Sequence, residues 1–124
     1  MRVLVVDDDP VIVELLVLNL ELEGHEAITA HDGREALALA REAAPDLLLL
    51  DVMMPELDGF AVCRALRDDP EMAHLPVVLL SARAQESDLV RGTAAGADAY
   101  VTKPFDPFEL VRLLEQTEAA RRRS

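Results

Sequence analysis

Apolar residues along this chain fall into two alternating kinds of segment. Short unbroken runs, Val3-Leu4-Val5-Val6, Leu47-Leu48-Leu49-Leu50 and Val77-Val78-Leu79-Leu80, are bounded by turn chemistry. Such runs read as strands of a parallel sheet buried on both faces. Between them the spacing is helical. Asp9 and Pro10 open a helix through about Glu23, with Val13, Leu16, Val17 and Leu20 on its apolar positions and Gly24 closing it. Residues 26–30 form a second, weaker strand, and Asp32-Gly33-Arg34-Glu35 resembles a capping box for a helix to about Ala43. Pro45 ends that element, and residues 46–50 form the third strand. Asp58 caps a helix to about Arg67, after which Asp69-Pro70 turns toward the fourth strand. A looser helix spans about Glu86 to Ala95, weakened by Gly92. Asp98 to Val101 is the fifth strand. Asp106-Pro107-Phe108-Glu109 then supplies cap, first-turn proline and reciprocal acid for a last helix to about Ala120.

Five strand–helix units predict an α/β fold, (βα)5, in which right-handed crossovers put helices on both faces of one doubly wound parallel sheet. At 124 residues this is a single domain, expected to cover residues 1–120. Residues 121–124 form a basic tail that reads equally well as a frayed helix end or as a linker stub.

Charge narrows the function. The formal net charge is −12, which argues against direct binding of nucleic acid or an anionic membrane by this domain. The apolar N-terminal stretch runs into three aspartates and is too short and acidic for a signal peptide. No segment approaches the ~18 apolar residues of a membrane span, so a cytoplasmic location is expected. Cys63 stands alone in a helical stretch and reads as a small buried hydrophobe. His25, His31 and His74 share no metal spacing and read as surface residues. Eleven of the twelve basic side chains are arginine, so the one lysine, Lys103, is conspicuous. A compact ammonium suits a tight oxyanion partner better than a planar guanidinium does.

The strand ends carry the chemistry. One run stops on Asp7-Asp8-Asp9, another on Asp51, and Ala99-Tyr100-Val101 leads into Thr102-Lys103-Pro104. Ligands of open α/β sheets bind at the carboxyl ends of the strands. Several carboxylates and one ammonium are therefore aimed at a common point. Such a cluster repels itself unless a cation joins it, which points to a divalent metal and phosphate chemistry. Taken singly the residues are weaker signals: Asp9 caps a helix, Ser81 is an ordinary residue after a strand, and a lysine before proline is commonly a solvated loop charge.

Taken together, Val5-Val6-Asp7-Asp8, Leu50-Asp51-Val52-Met53-Met54-Pro55 with Asp58-Gly59-Phe60, Leu80-Ser81-Ala82 and Tyr100-Val101-Thr102-Lys103-Pro104-Phe105 resemble the receiver domain of two-component response regulators. The match runs through essentially the whole chain, one motif per strand end. It implies a flavodoxin-like sheet of strand order 2-1-3-4-5. It makes Asp51 the phosphoacceptor, with Asp7, Asp8, Asp51 and the backbone carbonyl of Met53 holding Mg²⁺ (Mn²⁺ being a substitute). Ser81 and Lys103 would meet oxygens of the transferred phosphoryl group. Mg²⁺ favours a shell of carboxylate, water and phosphate oxygens, which agrees with this division of roles. The resemblance also raises the expectation of a cis Lys103–Pro104 bond.

The same resemblance implies a switch. Phosphorylation draws the Ser81 hydroxyl toward the phosphoryl group, and Tyr100, the only tyrosine, turns inward; an exposed Tyr100 ring on an edge strand would fit the inactive state. The surface of the fourth helix, fifth strand and fifth helix would then act on an output domain or effector protein. The phosphodonor would be a histidine kinase, a phosphotransfer protein or a small phosphodonor. A phosphorylation-dependent dimer is a further expectation, although Ala99 and Leu113 replace charges that some dimerising members pair. Met53 and Arg83 flank the path of attacking water; an apolar Met53 orients no water, so slow self-dephosphorylation is expected. The competing enzyme reading is a haloacid-dehalogenase-like phosphatase with Asp7 as nucleophile and Asp9 as acid/base. It leaves Asp51 and its loop unexplained.

Overall fold

The unbroken apolar runs pair side by side in the computed structural model, which describes residues 1–83 and 85–123. The strands are β1 (Arg2–Val6), β2 (Glu26–Ala30), β3 (Leu47–Asp51), β4 (Val77–Ser81) and β5 (Ala99–Thr102). They form one parallel sheet in the order β2-β1-β3-β4-β5. The helices are α1 (Pro10–Leu22), α2 (Gly33–Glu42), α3 (Gly59–Asp68), α4 (Glu86–Ala94) and α5 (Pro107–Arg122). Successive side chains of a strand point to opposite faces, so each run feeds two cores. Val3, Val5, Leu47, Leu49, Val78 and Leu80 meet Leu16 and Leu20 of α1 and Leu110, Val111 and Leu114 of α5. Leu4, Val6, Leu48, Leu50, Val77 and Leu79 face Ala36 and Ala40 of α2 and Phe60, Val62, Cys63 and Leu66 of α3. The expected doubly wound architecture is thus observed.

Local chemistry sets the helix starts. Asp9, Asp32, Asp58 and Asp106 each accept backbone N–H bonds from the first turn of α1, α2, α3 and α5. Strands β3 and β5 begin one residue later than the apolar pattern suggests. Asp46 and Asp98 stand just outside them, their carboxylates accepting the N–H of Arg2 at 2.7 Å and of Val77 at 2.8 Å. At the C-terminus α5 runs to Arg122, beyond the expected end near Ala120. Arg121 Nε donates to Asp98 at 2.8 Å and so ties that last turn to the body; Ser124 lies outside the described residues. His25 departs from the surface role: it is half-buried, bridging the Met1 amine at 3.0 Å and Glu115 at 2.8 Å. His31 and His74 are exposed and Cys63 is buried, as expected.

Gly59 shows how closely the site loop is packed. A Cβ there would lie 2.7 Å from the Asp51 carbonyl oxygen and 2.8 Å from Val52 Cα, both backbone atoms that cannot swing aside. The Gly59 N–H also donates to Val52 O at 3.0 Å. Gly59→Ala is expected to cost on the order of 2 kcal/mol, as other overpacking does, read as a fall in thermal midpoint of several degrees. A midpoint unchanged within a degree would contradict this packing.

Candidate functional site

Sheet register assembles the site. Val6 pairs with Leu50, so Asp7 and Asp51 leave adjacent strands side by side. Asp51 pairs with Leu80, which puts Ser81 one residue further along β4. Ser81 pairs with Thr102, so Lys103 follows at the same edge. The Lys103 N–H donates to Ser81 O at 2.8 Å, and the Lys103–Pro104 bond is cis. Register alone therefore gathers residues that are far apart in the chain.

The side chains converge. Lys103 Nζ lies 3.1 Å from Asp7 Oδ2 and 3.5 Å from Asp51 Oδ1. One carboxylate oxygen from each of Asp7, Asp8 and Asp51 falls within 4.8 Å of the other two. Asp7 and Asp51 are buried, Ser81 is fully buried and Asp8 is exposed. Asp7 Oδ1 also accepts the Asp9 N–H at 2.9 Å. Of the residues expected at the site, Asp7, Asp8 and Asp51 are in reach of one another, and Lys103 is in reach of Asp7 and Asp51. Met53 follows on the β3–α3 loop, its backbone favouring the ionised Asp51 carboxylate. Its side chain is half exposed, whereas Met54 packs inside. Asp9 accepts the Val11 N–H at 3.0 Å and is exposed, so it is occupied as a helix cap and is a poor acid/base.

Three carboxylates against one ammonium leave a surplus of negative charge in a partly buried hollow. Burial raises the Asp51 carboxyl from 3.8 to about 6, and neighbouring Asp7 adds to the rise. Lys103 and the Met53 backbone pull it down, and Asp8 adds a smaller upward push. For Lys103, burial works against the charged form. The hydrogen bond to Asp7 and the charges of Asp51 and Asp7 outweigh it, so the ammonium is held above its ordinary value. The donor set is all hard oxygen and its excess charge suits a small divalent cation.

Tyr100, on the edge strand β5, is half-buried rather than fully exposed. It packs beside the core under α2 and α3, and its hydroxyl donates to Arg83 O at 2.8 Å. The Arg83 N–H in turn donates to Ser81 Oγ at 3.1 Å. Arg83 was expected near the path of attacking water. Its guanidinium instead pairs with Asp88 of α4 at 3.1 Å. Asp88 played no part in the sequence reading; the spacing Gln85-x-x-Asp88, an amide followed by an acid at a helix start, was the signal for it.

The raised Asp51 carboxyl has a sign that can be checked. Between 3.8 and about 6 the folded chain holds a proton that the unfolded chain releases, so metal-free stability falls as pH rises through that window. Above it the buried charge costs up to about 3 kcal/mol. In chelator, Asp51→Asn is expected to melt higher than the parent at pH 7.5, the gap closing toward pH 4. A gap independent of pH would contradict the assignment.

Comparison with known proteins agrees with this geometry. Residues 3–115 match the family model described as the response regulator receiver domain. The chain is 46% identical over 110 residues to the DNA-binding dual master transcriptional regulator RpaA of Synechocystis, covering 89% of this chain and 46% of the relative. It is 50% identical over 109 residues to the alkaline phosphatase synthesis transcriptional regulatory protein PhoP of Bacillus subtilis, covering 88% and 45%. The chain thus spans less than half the length of these relatives. Among solved structures it superimposes on a response regulator from Chloroflexus aurantiacus with a TM-score of 0.90 and 38% identity, covering 95% of this chain and 97% of that one. The receiver domain of sensor histidine kinase PA1611 from Pseudomonas aeruginosa, which carries a magnesium ion in its active site cleft, gives 0.87 and 30%, covering 95% and 97%. A family model that spans nearly the whole chain, over the same strand ends that hold the carboxylates and the ammonium, decides the matter: the chain belongs to the receiver-domain family of response regulators.

Proposed function

We propose that Asp51 is the phosphoacceptor of this domain. A carboxylate oxygen of Asp51 attacks the phosphorus of a phosphohistidine on a histidine kinase or phosphotransfer protein, or of a small phosphodonor. The bond from phosphorus to its leaving group breaks (P–N to the imidazole in a phosphohistidine), its electron pair goes to that group, and an acyl phosphate forms on Asp51. The observation that carries this reading is the meeting of Asp7, Asp8 and Asp51 around Lys103 at the carboxyl edge of the sheet. Phosphoryl transfer demands positioning and charge neutralisation more than covalent help. Lys103 supplies a point charge for the incoming oxygens, and Ser81 a hydroxyl donor. The carboxylates of Asp7, Asp8 and Asp51, with the Met53 carbonyl, are the groups that would hold Mg²⁺ or Mn²⁺. When bound, that ion would neutralise phosphoryl oxygens and lower the Asp51 carboxyl toward its ionised, nucleophilic form.

The protein donor has a surface ready beside the site. Helix α1 starts directly after the acidic cluster and exposes Val11, Leu15, Leu18 and Leu22 at 69%, 38%, 56% and 73%. Their 4-3-4 spacing forms one apolar stripe along the helix. A donor covering Asp51 would rest on that stripe, leaving the α4–β5–α5 surface for an output domain or effector, or for a dimer made on phosphorylation. The domain's own strong negative charge argues that any DNA contact belongs to such an output domain.

Beryllofluoride with Mg²⁺ mimics an acyl phosphate and is expected to raise the thermal midpoint of the parent by mass action but not that of Asp51→Asn. Equal stabilisation of both proteins would refute the assignment. Hydrolysis of the acyl phosphate is expected to be slow, because Met53 is apolar and the Arg83 side chain is turned to Asp88. Met53→Asn places a hydrogen-bonding group where water must be oriented and is expected to speed decay several-fold, on the order of the gain from one positioned group. Decay equal to or slower than the parent's, followed by phosphate release, would count against this account.

A further inference from the structure

Helix α4 is attached to the domain in an unusual way. Its buried residues are Asp88 and Gly92, whereas its larger apolar side chains, Leu89 and Val90, are 41% and 61% exposed. A helix without an apolar face in the core needs other ties. There are two. A Cβ on Gly92 would stand 3.0 Å from Tyr100 Cδ2, so the tyrosine ring lies flush on the helix backbone there. Asp88, 1% exposed, is bonded through one oxygen to the Gln85 N–H at 3.3 Å. Its other oxygen, Oδ1, accepts no hydrogen bond from any described residue and faces Arg83 Nη2 at 3.1 Å. A buried carboxylate oxygen is costly unless a charge answers it, so the guanidinium fixes where Arg83 must stand.

That position matters because the Arg83 backbone holds two other residues. Its N–H donates to Ser81 Oγ at 3.1 Å and its carbonyl accepts the Tyr100 hydroxyl at 2.8 Å. Ser81 therefore spends an acceptor lone pair on Arg83 and keeps its one hydroxyl hydrogen for an incoming oxygen. Tyr100 is held against Gly92 by the same peptide carbonyl. The chain of contacts is continuous: Asp88, the Arg83 guanidinium, the Arg83 backbone, then Ser81 in one direction and Tyr100 in the other.

We propose that the Arg83–Asp88 ion pair is a positioning pair for phosphoryl acceptance. It anchors the connection between β4 and α4 so that the Ser81 hydroxyl and the Tyr100 ring are already arranged before any phosphoryl group arrives. Neither residue touches the reacting atoms; both act through Ser81 and Tyr100. The proposal rests on Asp51 being the phosphoacceptor. The pair thereby lowers the cost of rearrangement on phosphorylation, in the manner of a bias on a two-state element.

Tyr100 is the only tyrosine and the chain has no tryptophan, so its fluorescence reports this contact alone. The parent, Asp88→Asn, Arg83→Ala, Arg83→Lys and the double variant Asp88→Asn/Arg83→Ala are compared, the double variant guarding against an uncompensated buried charge. In the ligand-free proteins, acrylamide quenching of Tyr100 is expected to rise in Asp88→Asn, Arg83→Ala and the double variant. Beryllofluoride binding in saturating Mg²⁺ is expected to weaken about three- to tenfold in the same three, with the double variant no worse than the weaker single one. Arg83→Lys is expected to recover most of both effects, and Mg²⁺ affinity to stay within twofold throughout. Quenching and beryllofluoride affinity unchanged in the folded double variant would overturn the proposal. So would a parallel loss of Mg²⁺ affinity, which marks general loosening. Failure of the parent itself to bind beryllofluoride would instead strike the Asp51 reading and remove the switch the pair is said to serve, a result the quenching of the ligand-free proteins keeps separate.

Discussion

Two buried carboxylates share one ammonium at the carboxyl edge of this sheet, and most of the architecture serves to keep them there. Asp7 and Asp51 would separate or take up protons if the strands carrying them were free to slide. They are not free, because β1 and β3 are buried on both faces by interdigitated Val and Leu side chains. The energy of burial on both sides of the sheet thus holds a charge arrangement that is unfavourable by itself. Lys103 relieves part of that repulsion and leaves a residue of negative charge. That surplus is what the proposed divalent cation and phosphoryl chemistry would answer.

The helices are not equivalent in this scheme. Helices α1, α3 and α5 each sink several apolar residues into a core and give the sheet its rigidity. Helix α4 sinks none of its larger ones and is fastened by the Arg83–Asp88 pair, the Tyr100 ring against Gly92 and Arg91 stacked over Phe60. Polar and aromatic fastenings have discrete alternatives, whereas a packed apolar face has few. A domain that changes one surface in response to a small charge change is well served by apolar packing on the other four helices and a more polar tie on α4.

Much of this was legible in the residues. Strands of four like apolar residues, helices opened by aspartate, and aspartates at strand ends made the sheet, its two faces and the acidic hollow readable without coordinates. What escaped was mostly the work of side chains reaching across elements. His25 has nothing local to mark it, yet it is held by Met1 and Glu115 from opposite ends of the chain. The end of α5 was left open between a frayed helix and a linker stub, because nothing local marks Arg121 as the partner of Asp98. Arg83 lines the same cavity as Met53, as its position after Ser81 suggests, but the pairing of its guanidinium with Asp88 on the next helix had no such local signal. The residues alone leave Tyr100 open between an exposed ring and an inward-turned one; it is half-buried, with Gly92 leaving room for its ring.

Asp7 and Asp51 are both buried aspartates within hydrogen-bond reach of the same lysine, so the question of which one takes the phosphoryl group is a real one. Borohydride reduction of the phosphorylated protein, followed by peptide mass spectrometry, marks the acyl-phosphate carbonyl by converting that aspartate to homoserine. The account predicts homoserine at position 51. Homoserine at position 7, with 51 intact, would contradict it and restore a phosphatase-like nucleophile on the first strand.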